Sequence, residues 1–136
     1  MRQIRKIIVH CSATKEGQDF TVFDIDSWHK ARGFKKIGYH YIIRIDGSIQ
    51  AGRSEAEIGA HCTGHNRDSI GVCYIGGLDS KERPKDTRTE AQKHALKALL
   101  LRLKRKYPDA VICGHRELAA KACPCFDAKH EYRDVY

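Results

Sequence analysis

The sequence predicts an α/β fold: a single domain with a central mixed β-sheet flanked by helices. Three observations predict it. Short β-branched runs alternate with amphipathic helical stretches. Asp46-Gly47 is a hairpin signal, so at least one strand pair is antiparallel and the sheet is mixed. The chain has 136 residues, 41% of them hydrophobic, enough for one domain with a real core. Residues 1–136 are therefore read as one unit, with no internal repeat and no low-complexity tract.

Residues 4–10, IRKIIVH, form a buried strand that ends in a histidine. A loop follows. Thr21, with Asp24 three residues on, caps a helix over 22–32 that Gly33 ends. Residues 39–45 are a strand, and the Asp46-Gly47 turn leads into a second over 48–51. Residues 53–68 are irregular and polar, with His61 and His65. Residues 69–75 are a strand ended by Gly76-Gly77, and 78–88 a charged loop. Thr89-Glu-Ala-Gln92 is a capping box. Behind it Leu96, Leu99, Leu100, Leu103 and Tyr107 fall on one helical face. Lys104, Arg105 and Lys106 stand in its last turn, where the helix dipole favours cations. Residues 110–113 are a short strand, after which Gly114-His115-Arg116-Glu117 opens a loop.

Composition narrows the function classes. No apolar stretch approaches a membrane span. The N-terminus reads as a strand, not as the apolar region of a signal peptide, so the expectation is synthesis in the cytoplasm without export by the usual route. The net charge of +8 points to an anionic partner. Nucleic acid is one candidate, but the basic residues are scattered and aromatics do not interleave with them. A bacterial cell wall is anionic too. The six cysteines contain no Cys-x-x-Cys pair and stand in no secretory context, so reduced thiols are expected. Cys73 and Cys113 read as small buried hydrophobes.

The chemistry gathers at strand ends. His10 closes the first strand and His115 follows the strand 110–113. Functional residues of α/β sheets collect at the carboxyl ends of strands, so neighbouring strands would bring these two imidazoles together. Cys123 follows in Cys-Pro-Cys. Two imidazoles and a thiolate, with the fourth position left to water, make an open zinc site of catalytic type. Each residue also has a plain reading: a satisfied strand-end histidine, a packed cysteine.

Six stretches, in order, resemble one family. They are VHCSAT (9–14), WHKARGF (28–34), GYHYIIRIDGSIQAGR (38–53), NRDSIGVCYIGG (66–77), GHRE (114–117) and KACPCFD (121–127). They resemble the zinc-dependent N-acetylmuramoyl-L-alanine amidases, which include amidase-type phage lysozymes and, more distantly, peptidoglycan-recognition proteins. The resemblance implies Zn2+ held by His10, His115 and Cys123. It implies Tyr39 and Lys121 as catalytic helpers and His61 as a residue lining the substrate cleft. The substrate it implies is peptidoglycan, cut between N-acetylmuramic acid and L-alanine. It also implies action on the wall after release through a phage pore, by a chain without a separate wall-binding domain and expected to be monomeric. Without the resemblance, Tyr39 would read as sheet packing, and Lys121 and His61 as loop residues. Cys125 stands where family members commonly carry a different residue. Its expected role is packing with Phe126, because a second thiolate would close the position water needs. His29 and His40 have no role derivable from sequence, and His94 and His130 read as surface residues. Two other readings compete with the enzyme: a non-catalytic peptidoglycan-binding module, and a basic nucleic-acid-binding protein.

Overall fold

The computed structural model describes residues 2–135. Its strands are β1 Lys6–Cys11, β2 Thr14–Lys15, β3 Tyr41–Ile43, β4 Ile49–Ala51, β5 Ser69–Tyr74, β6 Gly77–Leu78 and β7 Val111–Gly114. The helices are α1 Val22–Ala31, α2 Glu90–Lys106 and the short α3 Ala128–Glu131, with a 3-10 turn at His115–Glu117. Five strands make one sheet in the order β4-β3-β5-β1-β7. The β3–β5, β5–β1 and β1–β7 pairs are parallel, and the β3–β4 hairpin is antiparallel. The mixed α/β sheet flanked by helices is the fold that the sequence predicts.

Both long helices start as their capping residues require. The Thr21 hydroxyl accepts from Asp24 N–H and the Asp24 carboxylate accepts from Thr21 N–H; Thr89 and Gln92 do the same for α2. Gln92 has a second use. Its side-chain amide, fully buried, donates to the carbonyls of Ile43 and Ile75, which ties the start of α2 to the sheet.

Two details depart from the sequence reading, and a third element adds to it. Tyr39 and His40 lie before β3, with the Tyr39 carbonyl accepting from Arg53 N–H. The charged loop after Gly77 begins with β6, which pairs in parallel with β2 beside the main sheet. The segment after residue 127 folds into α3, capped by the Asp127 carboxylate.

Side chains alternate along each strand, so the sheet has two unlike faces. One receives Ile7, Val9, Ile70, Val72, Tyr74 and Ile112 and packs on Leu96, Leu99, Leu100 and Leu103 of α2 as one continuous core. The other receives Ile8 and His10 from β1, Gly71 and Cys73 from β5, and Ile42 from β3. Its apolar residues divide into two small clusters, one of Ile25, Ile37, Ile42, Cys73 and Ile75, the other of Ile8, Cys62 and Cys113.

An ionic clamp holds the C-terminal segment. The buried Arg88 guanidinium pairs with Asp86 at 2.9 Å and Glu131 at 2.7 Å and donates to the Tyr132 hydroxyl. It also lies 3.4 Å from the centroid of the Phe126 ring.

Candidate active site

β1 and β7 are neighbours, with Val9 opposite Gly114, and this places His10 and His115 at one sheet edge. Their ring centroids are 4.6 Å apart. The 3-10 turn that carries His115 is held by Glu117, whose carboxylate accepts from Gly114 N–H at 3.0 Å. Cys123 arrives from the following loop, and its sulfur accepts from the backbone N–H of Cys11 at 3.2 Å. One ligand atom each from His10, His115 and Cys123 lies within 4.8 Å of the other two. The three residues that the sequence singled out as ligands thus meet.

The donor set fits zinc. Cys123 Sγ and His10 Nδ1 are 3.8 Å apart. Zn–N and Zn–S bonds of about 2.1 and 2.3 Å at a tetrahedral angle would set these atoms about 3.6 Å apart. Burial, then the neighbouring imidazoles His61, His115 and His29, push His10 well below the ordinary histidine range. Burial first and the Lys121 charge second push His115 down. Both rings are therefore neutral near pH 7, as metal ligation needs. Three protein donors would leave the fourth position of a tetrahedral ion open.

Cys125 is turned the other way. Its thiol donates to the Gly77 carbonyl at 3.2 Å and lies 3.9 Å from Cys11 Sγ, packed against the α2-side core. The Cys11 contact first, then burial, push this thiol up, so it stays protonated. All six cysteines are free thiols.

A cleft of about 690 Å³ opens over the three residues, and Tyr39, His61 and Lys121 line it. The Tyr39 ring is 5.0 Å from His10 and 5.3 Å from His29. Burial pushes its phenol well up, which keeps it a proton donor. Lys121 is exposed on the rim, two residues before Cys123. His61 forms part of the wall. Its Nδ1 is 2.8 Å from His10 Nε2, and burial lowers it to about 3.

The structure also accounts for residues that had no derivable role. His29, itself in the cleft wall, accepts from Gly38 N–H at 2.8 Å, and His40 accepts from Gly71 N–H at 3.0 Å, so each satisfies a backbone donor. His94 and His130 are exposed, as expected. Sequence reasoning missed Asn66 and Ser69. The Asn66 side chain accepts from the N–H groups of His61 and Cys62, both at 3.0 Å, and Ser69 Oγ reaches His61 Nε2 at 3.3 Å. Both stand in NRDSIG, a stretch with family likeness but no chemical signature of its own.

Residues 1–126 match the family described as N-acetylmuramoyl-L-alanine amidase. The chain is 47% identical over 128 residues to an endolysin of Klebsiella phage KP32, covering 94% of this chain and 85% of the relative. It is 49% identical over 123 residues to an endolysin of Escherichia phage T7, covering 90% and 82%. Among solved structures, the N-acetylmuramoyl-L-alanine amidase LysC from Clostridium intestinale URNW superposes with a TM-score of 0.81 at 30% identity, over 96% of this chain and 82% of that one. A match over this much of the sequence, on a fold that brings His10, His115 and Cys123 together, shows that the chain belongs to the N-acetylmuramoyl-L-alanine amidase family.

Proposed function

We propose that this protein is a zinc-dependent amidase that cuts peptidoglycan between the lactyl carbonyl of N-acetylmuramic acid and the L-alanine of the stem peptide. His10, His115 and Cys123 hold the metal. Tyr39 and Lys121 assist the reaction, and His61 forms part of the wall against which the muropeptide lies. The observation that carries this reading is the meeting of two neutral imidazoles and one thiol at the floor of an open cleft.

Bound zinc supplies Lewis-acid polarisation of the scissile carbonyl and lowers the pKa of a water to about 7. The chain's own residues do the rest. The Cys11 N–H donates to the Cys123 sulfur and orients it toward His10 and His115. The Tyr39 phenol, kept protonated by burial, donates a hydrogen bond toward the reacting oxygen and passes a proton as the amide breaks. From the rim of the cleft, the Lys121 ammonium supplies positive charge for the oxygen that becomes negative as the carbonyl is attacked. The net charge of +8 favours encounter with an anionic wall. The cleft is built within one chain, so a monomer suffices. Among the described residues no helix is long and apolar enough to cross a membrane. The wall is reached after release through a phage pore.

The test is incubation with purified peptidoglycan, with and without a chelator. Chelator-sensitive release of stem peptides, restored by zinc, is expected. Sedimentation with the wall without cleavage would instead make the protein a binding module. Tyr39→Phe and Lys121→Ala should keep one zinc per chain and lose about 100-fold or more in turnover. Wild-type turnover in Lys121→Ala would reduce Lys121 to a loop charge.

A further inference from the structure

His61 lines the cleft, yet its ring nitrogens are both engaged away from it. Nδ1 is 2.8 Å from His10 Nε2, and Nε2 is 3.3 Å from Ser69 Oγ. We propose that His61 is a positioning residue that fixes the metal-binding tautomer of His10, rather than a residue that binds substrate through its nitrogens. The proposal rests on the metal reading given above.

Two neutral imidazoles can share a hydrogen bond in only two ways, because one nitrogen must bring the proton and the other the lone pair. His10 Nδ1 is the nitrogen that faces Cys123 Sγ, 3.8 Å away. It can hold a metal only with a free lone pair, so the proton of His10 must sit on Nε2. That N–H then donates to His61 Nδ1. His61, accepting at Nδ1, carries its own proton on Nε2 and donates to Ser69 Oγ. In the opposite arrangement His61 donates to His10, the His10 proton moves to Nδ1, and it occupies the direction of the metal. Metal binding therefore selects one polarity of the Ser69–His61–His10 chain, and this chain in turn aims the His10 ring.

The surroundings hold the His61 ring in the plane this requires. A Cβ at Gly71 would lie 2.6 Å from its Cγ and Cδ2, and a Cβ at Gly59 would lie 2.7 Å from its Cδ2. Two glycines, one of them in the middle of β5, thus leave the space in which the imidazole lies. Asn66 fixes the backbone of residues 61 and 62 from the other side. Turning the ring over would put Cδ2 where Nδ1 meets His10 and would break the chain. Groups that orient a metal-binding histidine in this way are typically worth roughly 10–100-fold in metal affinity.

The experiment compares zinc affinity, by competition with a chromogenic chelator, in wild type, His61→Leu and His61→Asn. Alongside it, nitrogen-15 NMR reads the tautomer of His10 in the zinc-loaded protein. His61→Leu should weaken zinc binding roughly 10–100-fold and abolish the hydrogen-bonded Nε2 proton signal of His10. His61→Asn, whose Oδ1 can stand where Nδ1 stood, should recover most of the affinity. Ser69→Ala leaves His61 in place and should shift affinity in the same direction by less, which keeps the test open should His61→Leu fail to fold. Equal zinc affinity in wild type, His61→Leu and Ser69→Ala, with only KM raised, would overturn the proposal and leave His61 a substrate contact. A wild-type protein that holds no zinc would instead overturn the metal reading itself, and this proposal with it.

Discussion

The two faces of the sheet solve opposite problems with the same five strands. The face under α2 is filled without a break by aliphatic and aromatic side chains, because nothing on it has to reach solvent. The face under α1 gives up that continuity. Its apolar residues form two small clusters, and between them lie His10, His40 and His61, partnered by each other and by backbone groups. Stability is thus concentrated on one face and chemistry on the other. Strand alternation begins the division, since Val9 and His10 are adjacent in sequence and face opposite ways, and the segments carrying His40 and His61 complete it.

The sharpest way to break this comparison is to exchange sulfur for oxygen at two neighbouring positions on opposite sides of the sheet edge. Cys123→Ser should lose zinc and, with it, several kcal/mol of transition-state stabilisation, roughly 1000-fold or more in turnover. Its urea midpoint measured without metal should barely change, because a serine hydroxyl can still accept from the Cys11 N–H. Cys125→Ser should keep zinc and most of the activity, at a cost of about 1 kcal/mol in stability. If these outcomes were exchanged, Cys125 would be the sulfur ligand.

On the core face the expected effect is reversed. Leu99→Ala, at a fully packed position of α2, should cost about 3 kcal/mol in urea unfolding and leave one zinc per chain. Loss of zinc from a folded Leu99→Ala protein would mean that the two faces are coupled more tightly than their separate clusters suggest.

Acid should expose the cleft face selectively. Burial lowers His40, and lowers His61 to about 3, against about 6.5 in the unfolded chain. Above pH 6.5 neither state binds these protons, so stability is unaffected. As pH falls below 6.5, the unfolded chain takes up protons that the folded one refuses, and stability is lost. For His61 the slope is about 1.4 kcal/mol per pH unit, continuing to about pH 3, and His40 adds to it in the same direction. Urea midpoints of metal-free protein between pH 7 and 4.5 measure this. Leu99→Ala should lower the whole curve without altering its slope, and His61→Asn should flatten it. A wild-type midpoint independent of pH would show that these rings are protonated inside the fold.

The core face was almost fully legible in the sequence. The leucine spacing of α2, its Thr89–Gln92 capping box and the Asp46-Gly47 turn are local signals, and each acts locally in the structure. The cleft was legible only in part. His10 and His115 stand at strand ends, where chemistry is expected, and the family likeness supplied the register for Cys123, Tyr39 and Lys121. What lay beyond reading was the support behind them. Ser69 and Gly71 look like ordinary strand residues, and Asn66 like a loop residue. Their meaning comes from an imidazole laid across β5 from a loop several residues earlier. No periodicity encodes a contact of that kind.

The residues proposed as ligands also come from opposite ends of the chain. His10 and Cys123 stand 113 positions apart, yet their side chains meet. A metal shared between them acts as a reversible cross-link that closes nearly the whole polypeptide into one loop. In the chain-entropy picture a covalent bridge of that span is worth on the order of 4–5 kcal/mol. An ion held there for the proposed hydrolysis would therefore also suppress fraying of the C-terminal segment, which Arg88 grips from its other side. Removing the ion would leave the sheet standing but open the 115–127 loop first, so resistance to proteases at that loop reports metal occupancy without any substrate being cut.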